Sequence, residues 1–208
     1  MAAVVAVVLL ATGCSVSGSA EPAPDYTPLM VPADSFPAGP ATPVPAPQVA
    51  GAVSDITLRP STGDVNPPEC TPAAVDTATA VVLVGPGPAQ SSTLTEMVVR
   101  SPESLQALAS AVRGCPEFRG GPTGQQEIRS ELTDELRADG DVTTLALVRT
   151  LRSPGSDTVT TVAQWVAQRG DVRLVVQLRM LGTPSDTDNA ATADFFATAV
   201  AHAFGGKP

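Results

Sequence analysis

The chain has 208 residues, of which 12 are basic and 21 are acidic, and its formal net charge is −9. Such an acidic protein is not expected to bind nucleic acid or an anionic bilayer surface through its charge. With an N-terminal leader and a low-complexity segment set aside, roughly 155 residues remain, which is enough for one domain with its own core.

The N-terminus carries an uncharged apolar run, residues 1–10, that is shorter than the ~20 residues needed to span a bilayer. The sequence LATGC follows from Leu10 to Cys14 and is typical of the site at which bacteria attach lipid to a secreted protein. We predict a lipoprotein signal peptide at residues 1–13, with diacylglycerol and palmitate on Cys14. Ala11 stands where leucine is usual and no basic residue precedes the run, which leaves room for a start codon upstream. The alternatives are an ordinary secretory signal and a buried apolar N-terminus.

Lipid on Cys14 would hold the protein at the cell membrane on its extracytoplasmic face, with the acyl chains as its membrane contact. Export also places the two remaining cysteines, Cys70 and Cys115, in an oxidising compartment. We predict one disulfide between them, which would close a loop of about 45 residues and stabilise the domain by roughly 4 kcal/mol. Two free or redox-active thiols are the alternative.

Residues 14–52 are predicted to form a tether, because nine prolines lie between Glu21 and Pro47 and no apolar periodicity survives such spacing. Proline-rich chain extends by about 3.1 Å per residue, so a tether of this kind could reach roughly 100 Å. One apolar island, residues 26–36, interrupts it. This island either docks on the domain or is a stray apolar patch in a linker.

The globular domain is predicted at residues 53–208, and its first half contains two helices and a hairpin. The expected elements are a helix at 73–78, strands at 80–84 and 94–99, and a helix from Ser101 to Gly114. Ser101 is expected to cap the second helix, with Pro102 at its first position. Cys115 follows that helix directly, so the predicted disulfide would clamp its end to the segment at Cys70.

The second half is predicted to be a four-strand antiparallel meander followed by a helix. The strands are expected at 126–136, 142–151, 158–168 and 171–181, and the final helix begins with a cap at 186–188. The apolar stripe of that helix should cover the sheet. The predicted fold class is α+β, a twisted antiparallel sheet with helices packed on one face and one disulfide.

The last strand alternates between an apolar row and a mostly polar row, which predicts one buried face and one wet face. On the wet face Arg173, Gln177 and Arg179 should lie beside Gln164 of the preceding strand. These groups could hold an anionic or sugar-like ligand, although a plain solvated face is the simpler interpretation. Trp165 is predicted to be a core residue, with the floor of a pocket as the alternative.

Catalytic and metal chemistry find little support in the residues. His202 is the only histidine and is predicted to be a solvated surface residue of the last helix. The tripeptide at Arg169–Asp171 is interpreted as a hairpin turn and not as an adhesion motif. No phosphate-binding glycine loop or nucleophile elbow occurs. We predict no catalytic residue, no metal site and no cofactor.

A resemblance to a known family follows from the order of these features. The lipid-attachment site, the proline-rich tether, the Pro-Pro-Glu-Cys run ending at Cys70, the Cys-Pro at Cys115, the meander and the final helix together resemble mycobacterial lipoproteins related to the extracellular sensor domain of the PknH-type receptor kinase. The resemblance spans residues 53–204. Such domains usually carry two disulfides and a polar ligand cleft, whereas this chain has cysteines for one disulfide.

The resemblance and the leader together imply a non-enzymatic, lipid-anchored binding or sensor-like domain of the cell envelope, with a ligand or protein partner there. The alternatives are a structural or surface protein-interaction lipoprotein, expected to show an exposed apolar patch, and a lipid or glycolipid carrier, which needs a large apolar cavity. A concave polar cavity would favour the first interpretation.

Overall fold

The computed structural model describes residues 23–205, which include three α-helices and an eight-stranded sheet. The helices are α1 (Ala46–Thr57), α2 (Leu105–Gly114) and α3 (Asp186–Phe204). The strands are β1 (Thr42–Pro43), β2 (Asp76–Pro86), β3 (Thr93–Arg100), β4 (Glu117–Gly120), β5 (Gln126–Asp139), β6 (Val142–Arg152), β7 (Val159–Arg169) and β8 (Val172–Leu181). The predicted signal peptide and Cys14 lie outside the described residues.

The strand order is β1-β2-β3-β8-β7-β6-β5-β4, and every neighbouring pair is antiparallel. The predicted meander is confirmed as β5 to β8, in which Gly140 and Gly170 supply the positive φ of the two tightest turns. The predicted hairpin is β2 and β3. Because β3 also pairs with β8, hairpin and meander form one sheet, which confirms the α+β class.

Helices cover both faces of this sheet. On one side, named here the α3 face, Leu174 and Val176 of β8 share a core with Phe195 and Phe204 of α3. On the other side, named the α2 face, Val175 shares a core with apolar residues of α1 and α2. The expectation that helices pack on a single face is therefore corrected, because the second row of β8 is also buried.

The segment predicted to be a tether is folded from Tyr26 onward. Tyr26, Val31 and Phe36 are at most 8% exposed and belong to the core of the α3 face. The ring centroid of Phe36 lies 4.6 Å from that of Phe195 in α3. Docking of the 26–36 island is confirmed, and the predicted boundary between tether and domain at residue 53 is wrong.

The prolines of this segment occupy positions that tolerate them. Pro28 lies in the first turn of a 3₁₀ helix, Pro47 lies in the first turn of α1, and Pro43 lies in the edge strand β1. The N–H that proline lacks has no partner in a first turn, and an edge strand does not require one on its open side. A proline-rich composition is therefore compatible with a packed segment here.

The helix predicted at residues 73–78 is wrong. The structure has only a 3₁₀ turn at Pro68–Cys70, and β2 begins at Asp76. Thr77 and Thr79 are β-branched, which favours an extended chain over a helix. The strand predicted at 80–84 is confirmed as the middle of β2.

The caps of α2 and α3 differ from the prediction by a few residues. The Oγ of Ser104, and not of Ser101, accepts a backbone N–H of the first turn of α2 at 3.2 Å. Ser101 is buried, and its backbone N–H donates to the carbonyl of Asp171 at 2.7 Å, which ties it to the β7–β8 turn. Ser185 caps α3 through a capping box with Asp188, one residue before the expected positions.

Candidate ligand-binding site

The four side chains predicted to form a ligand site all belong to strands β7 and β8 and share the α2 face. Gln164 of β7 lies opposite Gln177 of β8, and Gln168 lies opposite Arg173. Gln164, Gln177 and Arg173 are 4%, 2% and 6% exposed, and Arg179 is paired at the edge of the same row. The prediction of a wet face on β8 is wrong, since α1 and α2 cover it.

Two of these side chains, Gln164 and Arg179, bond α1 to the sheet, and Gln177 bonds to Gln164. The Nε2 of Gln164 donates to the Oε1 of Gln177 and to the carbonyl of Ile56 in α1, both at 2.7 Å. The Nη1 of Arg179 lies 2.6 Å from each carboxylate oxygen of Asp55 in the same helix. These polar groups serve internal contacts, which a buried polar row requires.

Arg173 binds the segment that leads into α2. Its Nη2 donates to the carbonyl of Glu103 at 2.6 Å, and its Nη1 lies 3.3 Å from the Glu103 carboxylate. Its Nε donates to the Oε1 of Gln168 at 3.0 Å. Burial lowers the pKa of Arg173, and the neighbouring Glu103 carboxylate opposes this shift.

Arg149, a residue outside the predicted site, lies beside these side chains on the α2 face. Only 6% of it is exposed, its Nη1 donates to the Oε1 of Gln164 at 3.0 Å, and its Nε is buried without a partner. Burial lowers its pKa to about 10, against a raising effect of Glu103. The sequence does indicate this buried charge, because Arg149 interrupts a row of inward-facing leucines at alternate positions of β6.

Ser130 is a second unpartnered group at this place. It lies opposite Arg149 in the β5–β6 pair, is 5% exposed, and its Oγ is buried without a hydrogen-bond partner. A buried polar atom without a partner costs about 1–3 kcal/mol. Arg149 and Ser130 form one cross-strand pair, and each has a buried polar atom without a partner. A polar guest that bonded to both atoms would therefore gain the most free energy at this place on the α2 face.

Two small cavities open next to this pair, and each has a volume of about 50 Å³. The inner cavity is lined by Arg149, Arg173 and Gln164, and the outer cavity by Arg149 and Ser130. Glu103 and Leu108 of the α2 region border both. Arg149 thus lines both cavities.

The disulfide forms part of the outer cavity wall. Cys70 and Cys115 are bonded, which confirms the predicted pairing, and both line the outer cavity. Cys115 immediately follows α2, whereas Cys70 leads into Pro72 and Ala73, which border both cavities. The bond therefore fixes the segment after Cys70 against the end of α2, over the unpartnered groups.

The buried side chains at these cavities carry more positive than negative charge. The charge of the Glu103 carboxylate acts on both Arg149 and Arg173, and in each it opposes, without reversing, the lowering of pKa that burial causes. Glu69 also lines the outer cavity, but its side chain is exposed to solvent. The site is thus a buried guanidinium pair with one close carboxylate, and an oxyanion is the guest that would complete it.

The remaining sequence interpretations concern surface residues. His202 is exposed near the end of α3, as predicted. Gly170 forms the β7–β8 turn, where Asp171 pairs with Arg100 at 2.6 Å, so the turn interpretation of the tripeptide is confirmed. Arg169 packs over the ring of Phe204, 5.0 Å from its centroid.

Trp165 is not a core residue. It is half-buried on the α3 face and belongs to none of the hydrophobic clusters found in residues 23–205. It lines a groove between the sheet and the start of α3. The core interpretation is therefore wrong, and the position of Trp165 in this groove is consistent with the alternative, a residue that lines a pocket.

The fold and site define an α+β domain with a small cavity walled in part by the disulfide, and comparisons with known proteins add little to this. No family model and no curated protein matches the chain. A solved structure of an uncharacterised protein from Mycobacterium smegmatis, the Rv0999 ortholog, is similar with a TM-score of 0.44 and 13% identity over 79% of this chain and 85% of that chain. In the described part of the chain, no helix is long and apolar enough to cross a membrane, and no cluster of three metal-ligating side chains was found.

Proposed function

We propose that the chain is a lipid-anchored, extracytoplasmic binding domain of the cell envelope, sensor-like and without catalytic activity. Its ligand is a small oxyanion or the anionic group of a larger molecule, held beneath α2. The observation that carries this proposal is the cross-strand pair of Arg149 and Ser130, which both line a cavity and whose Nε and Oγ are each buried without a partner. Proteins retain unpaired buried donors and perturbed charges chiefly where they serve a function.

The anchoring half of the proposal rests on the leader. The LATGC run ending at Cys14 supports lipid attachment, and the Cys70–Cys115 bond is consistent with an oxidising compartment. The family resemblance to PknH-type sensor domains belongs to this proposal as well, because an envelope sensor needs both an anchor and a ligand site.

The binding half is tested by unfolding the purified chain at constant ionic strength with inorganic phosphate, sulfate or acetate, and with chloride as reference. A ligand that binds only the folded state raises the unfolding temperature as its concentration rises above Kd. We expect at least one oxyanion to do so in the wild type and none to do so in Arg149→Met. Arg179→Met is the matched control, because it removes an arginine from the same face outside both cavities.

Two results would contradict the binding proposal. One is that no oxyanion raises the unfolding temperature more than chloride does, which would mean that ordered water satisfies the two groups. The other is that Arg149→Met responds to the oxyanion as the wild type does. Arg149→Met is expected to fold, since Arg149 is buried without an ion pair to any described residue and Glu103 keeps its pairing with Arg173, so the change leaves no buried charge without its partner.

The anchor is tested separately in a bacterial host that lipidates exported proteins. The wild type is expected to partition into the detergent phase and to carry the mass of diacylglycerol and fatty acid at Cys14. Cys14→Ser should move to the aqueous phase. Detergent partitioning of Cys14→Ser equal to that of the wild type would refute lipid anchoring.

The two alternatives expect features that the structure supplies only weakly. Leu181, which is 62% exposed, is the one large apolar side chain exposed within residues 23–205, whereas a partner-binding lipoprotein was expected to show an apolar patch. A groove of about 610 Å³ lies on β4–β6, but Arg119, Arg129, Arg152 and Glu127 line it, which suits no acyl chain. The buried, unpartnered groups of Arg149 and Ser130 under α2 favour the binding interpretation.

A further inference from the structure

The α3 face carries a groove that is separate from the proposed oxyanion site, which consists of Arg149, Ser130 and the cavities that they line. It has a volume of about 380 Å³ and lies between β5, β6, β7 and the first turns of α3. This volume falls in the range of about 300–1,000 Å³ that small-molecule sites occupy. Trp165, the only tryptophan of the chain, lines it. We call it the Trp165 groove.

Small neighbours leave the indole of Trp165 partly uncovered. Ala146 lies directly opposite it on β6, and Ala163 precedes it by two positions on β7. The helix side of the groove contributes Ala190 and Ala193. Large apolar side chains are normally buried in a core, so an indole outside every described core cluster offers an apolar surface to a guest.

Polar groups border the groove around this apolar surface. Asp134 of β5 lies opposite Ala146, so Asp134, Ala146 and Trp165 form one row across three strands. Neighbouring strands are about 4.8 Å apart, which places the aspartate and tryptophan backbones about 10 Å from each other with a small alanine between them. Asn189 of α3 and Thr133 complete the polar border.

This combination selects the chemical class of the guest. A sugar ring has an apolar C–H face that stacks on an indole and hydroxyl groups at its edge that bond to carboxylate and amide groups. The carboxylate of Asp134, bonded to Arg137 at 2.7 Å, makes this border unsuited to an anion. A purely apolar guest would cover the polar side chains of this border without offering them hydrogen bonds.

We propose that the Trp165 groove binds a neutral saccharide, with the indole stacked on a sugar ring and with Asp134 and Asn189 bonded to its hydroxyls. This site lies on the opposite face of the sheet from Arg149 and is independent of the oxyanion site. The domain would then recognise two chemical groups, one on each face of its sheet.

The groove contains its own reporter, because all tryptophan fluorescence of the chain comes from Trp165. The test titrates the purified chain with maltotriose, mannotriose and the β-1,4-linked trimer of N-acetylglucosamine, each to about 20 mM, a range that covers weak millimolar affinity. At least one trisaccharide is expected to shift the emission to shorter wavelength, to saturate, and to protect the indole from acrylamide quenching.

Variants locate the binding. Asp134→Asn and Asn189→Ala are expected to raise the Kd of the active trisaccharide at least 10-fold. Asp139→Asn is the matched control: it makes the same change on the same strand at an exposed position that does not line the groove, and should leave Kd unchanged. All three variants keep Trp165, so each is read by the same signal.

Three results would overturn the proposal. The first is that none of the three trisaccharides changes the emission or the quenching. The second is that Asp134→Asn and Asn189→Ala bind as tightly as Asp139→Asn does. The third is that benzyl alcohol, an apolar probe, saturates the signal while every sugar leaves it unchanged.

Discussion

Glu96 is a carboxyl group buried in an apolar core, and its removal should change how stability depends on pH. Glu96 is 0% exposed. Its Oε1 accepts a hydrogen bond from the backbone N–H of Val31 at 3.3 Å, and its Oε2 is buried without a partner. Its cross-strand neighbours on the α3 face are Leu83 and Val176. Burial raises its pKa from 4.5 to about 7, and the hydrogen bond from Val31 opposes this only in part.

The sign and size of the effect follow from linkage. The folded state holds the Glu96 proton more tightly than the unfolded state, so the stabilising contribution is complete below about pH 4.5 and is lost as pH rises through 7. A pKa rise of this size corresponds to about 3 kcal/mol, of which about 2 to 3 kcal/mol falls between pH 5 and pH 8. Glu96→Gln keeps the shape of the side chain and cannot ionise.

The assay is urea unfolding of the wild type and Glu96→Gln at several pH values between 5 and 8. The free energy of unfolding of Glu96→Gln should rise by about 2 to 3 kcal/mol relative to the wild type across this range. Glu131→Gln, an exposed glutamate on the same face, controls for the loss of one negative charge. Parallel pH curves for the wild type and Glu96→Gln would refute the reasoning.

Three further predictions concern the parts that position the site. Cys115→Ser should lower the free energy of unfolding by about 4 kcal/mol and weaken oxyanion binding, and unchanged stability in denaturant would contradict the role of the bond. Ser104→Ala should cost about 1 kcal/mol through loss of the α2 cap, measured by urea unfolding; an equal cost at the exposed Ser110→Ala would argue against this. Phe36→Ala should cost about 3–5 kcal/mol and speed amide exchange at Val31, whereas a neutral result would mean that the N-terminal segment contributes little.

The sequence predicted those elements whose signal is local. The strands β5 to β8 were recognisable because period-two alternation runs between glycine turns, and the disulfide followed from the two cysteines that remain once Cys14 is assigned to a predicted export signal. The sequence could not decide whether residues 26–36 dock on the domain, because a proline-rich segment has the same composition whether or not distant apolar residues pack against it.

Only part of the proposed oxyanion site was predictable from the sequence, because distant parts of the chain complete it. Gln164 and Arg173 were placed on one face from alternation alone, but α1 and α2 bury that face from distant parts of the chain. Arg149 interrupts an inward-facing leucine row, which is a local signal of a buried charge. Its cavity depends on the segment after Cys70, and no local pattern shows that this segment crosses the sheet there.

Because the folded domain begins at Tyr26, only a short segment separates it from the predicted lipid on Cys14. If Cys14 carries the lipid, only about ten residues separate it from Tyr26, and fully stretched chain of that length spans about 35–40 Å. A long tether would let the domain search the thickness of a cell wall. With lipid on Cys14, this domain would instead be confined to a layer roughly one protein diameter above the bilayer, and whatever it binds would have to be present or delivered in that layer.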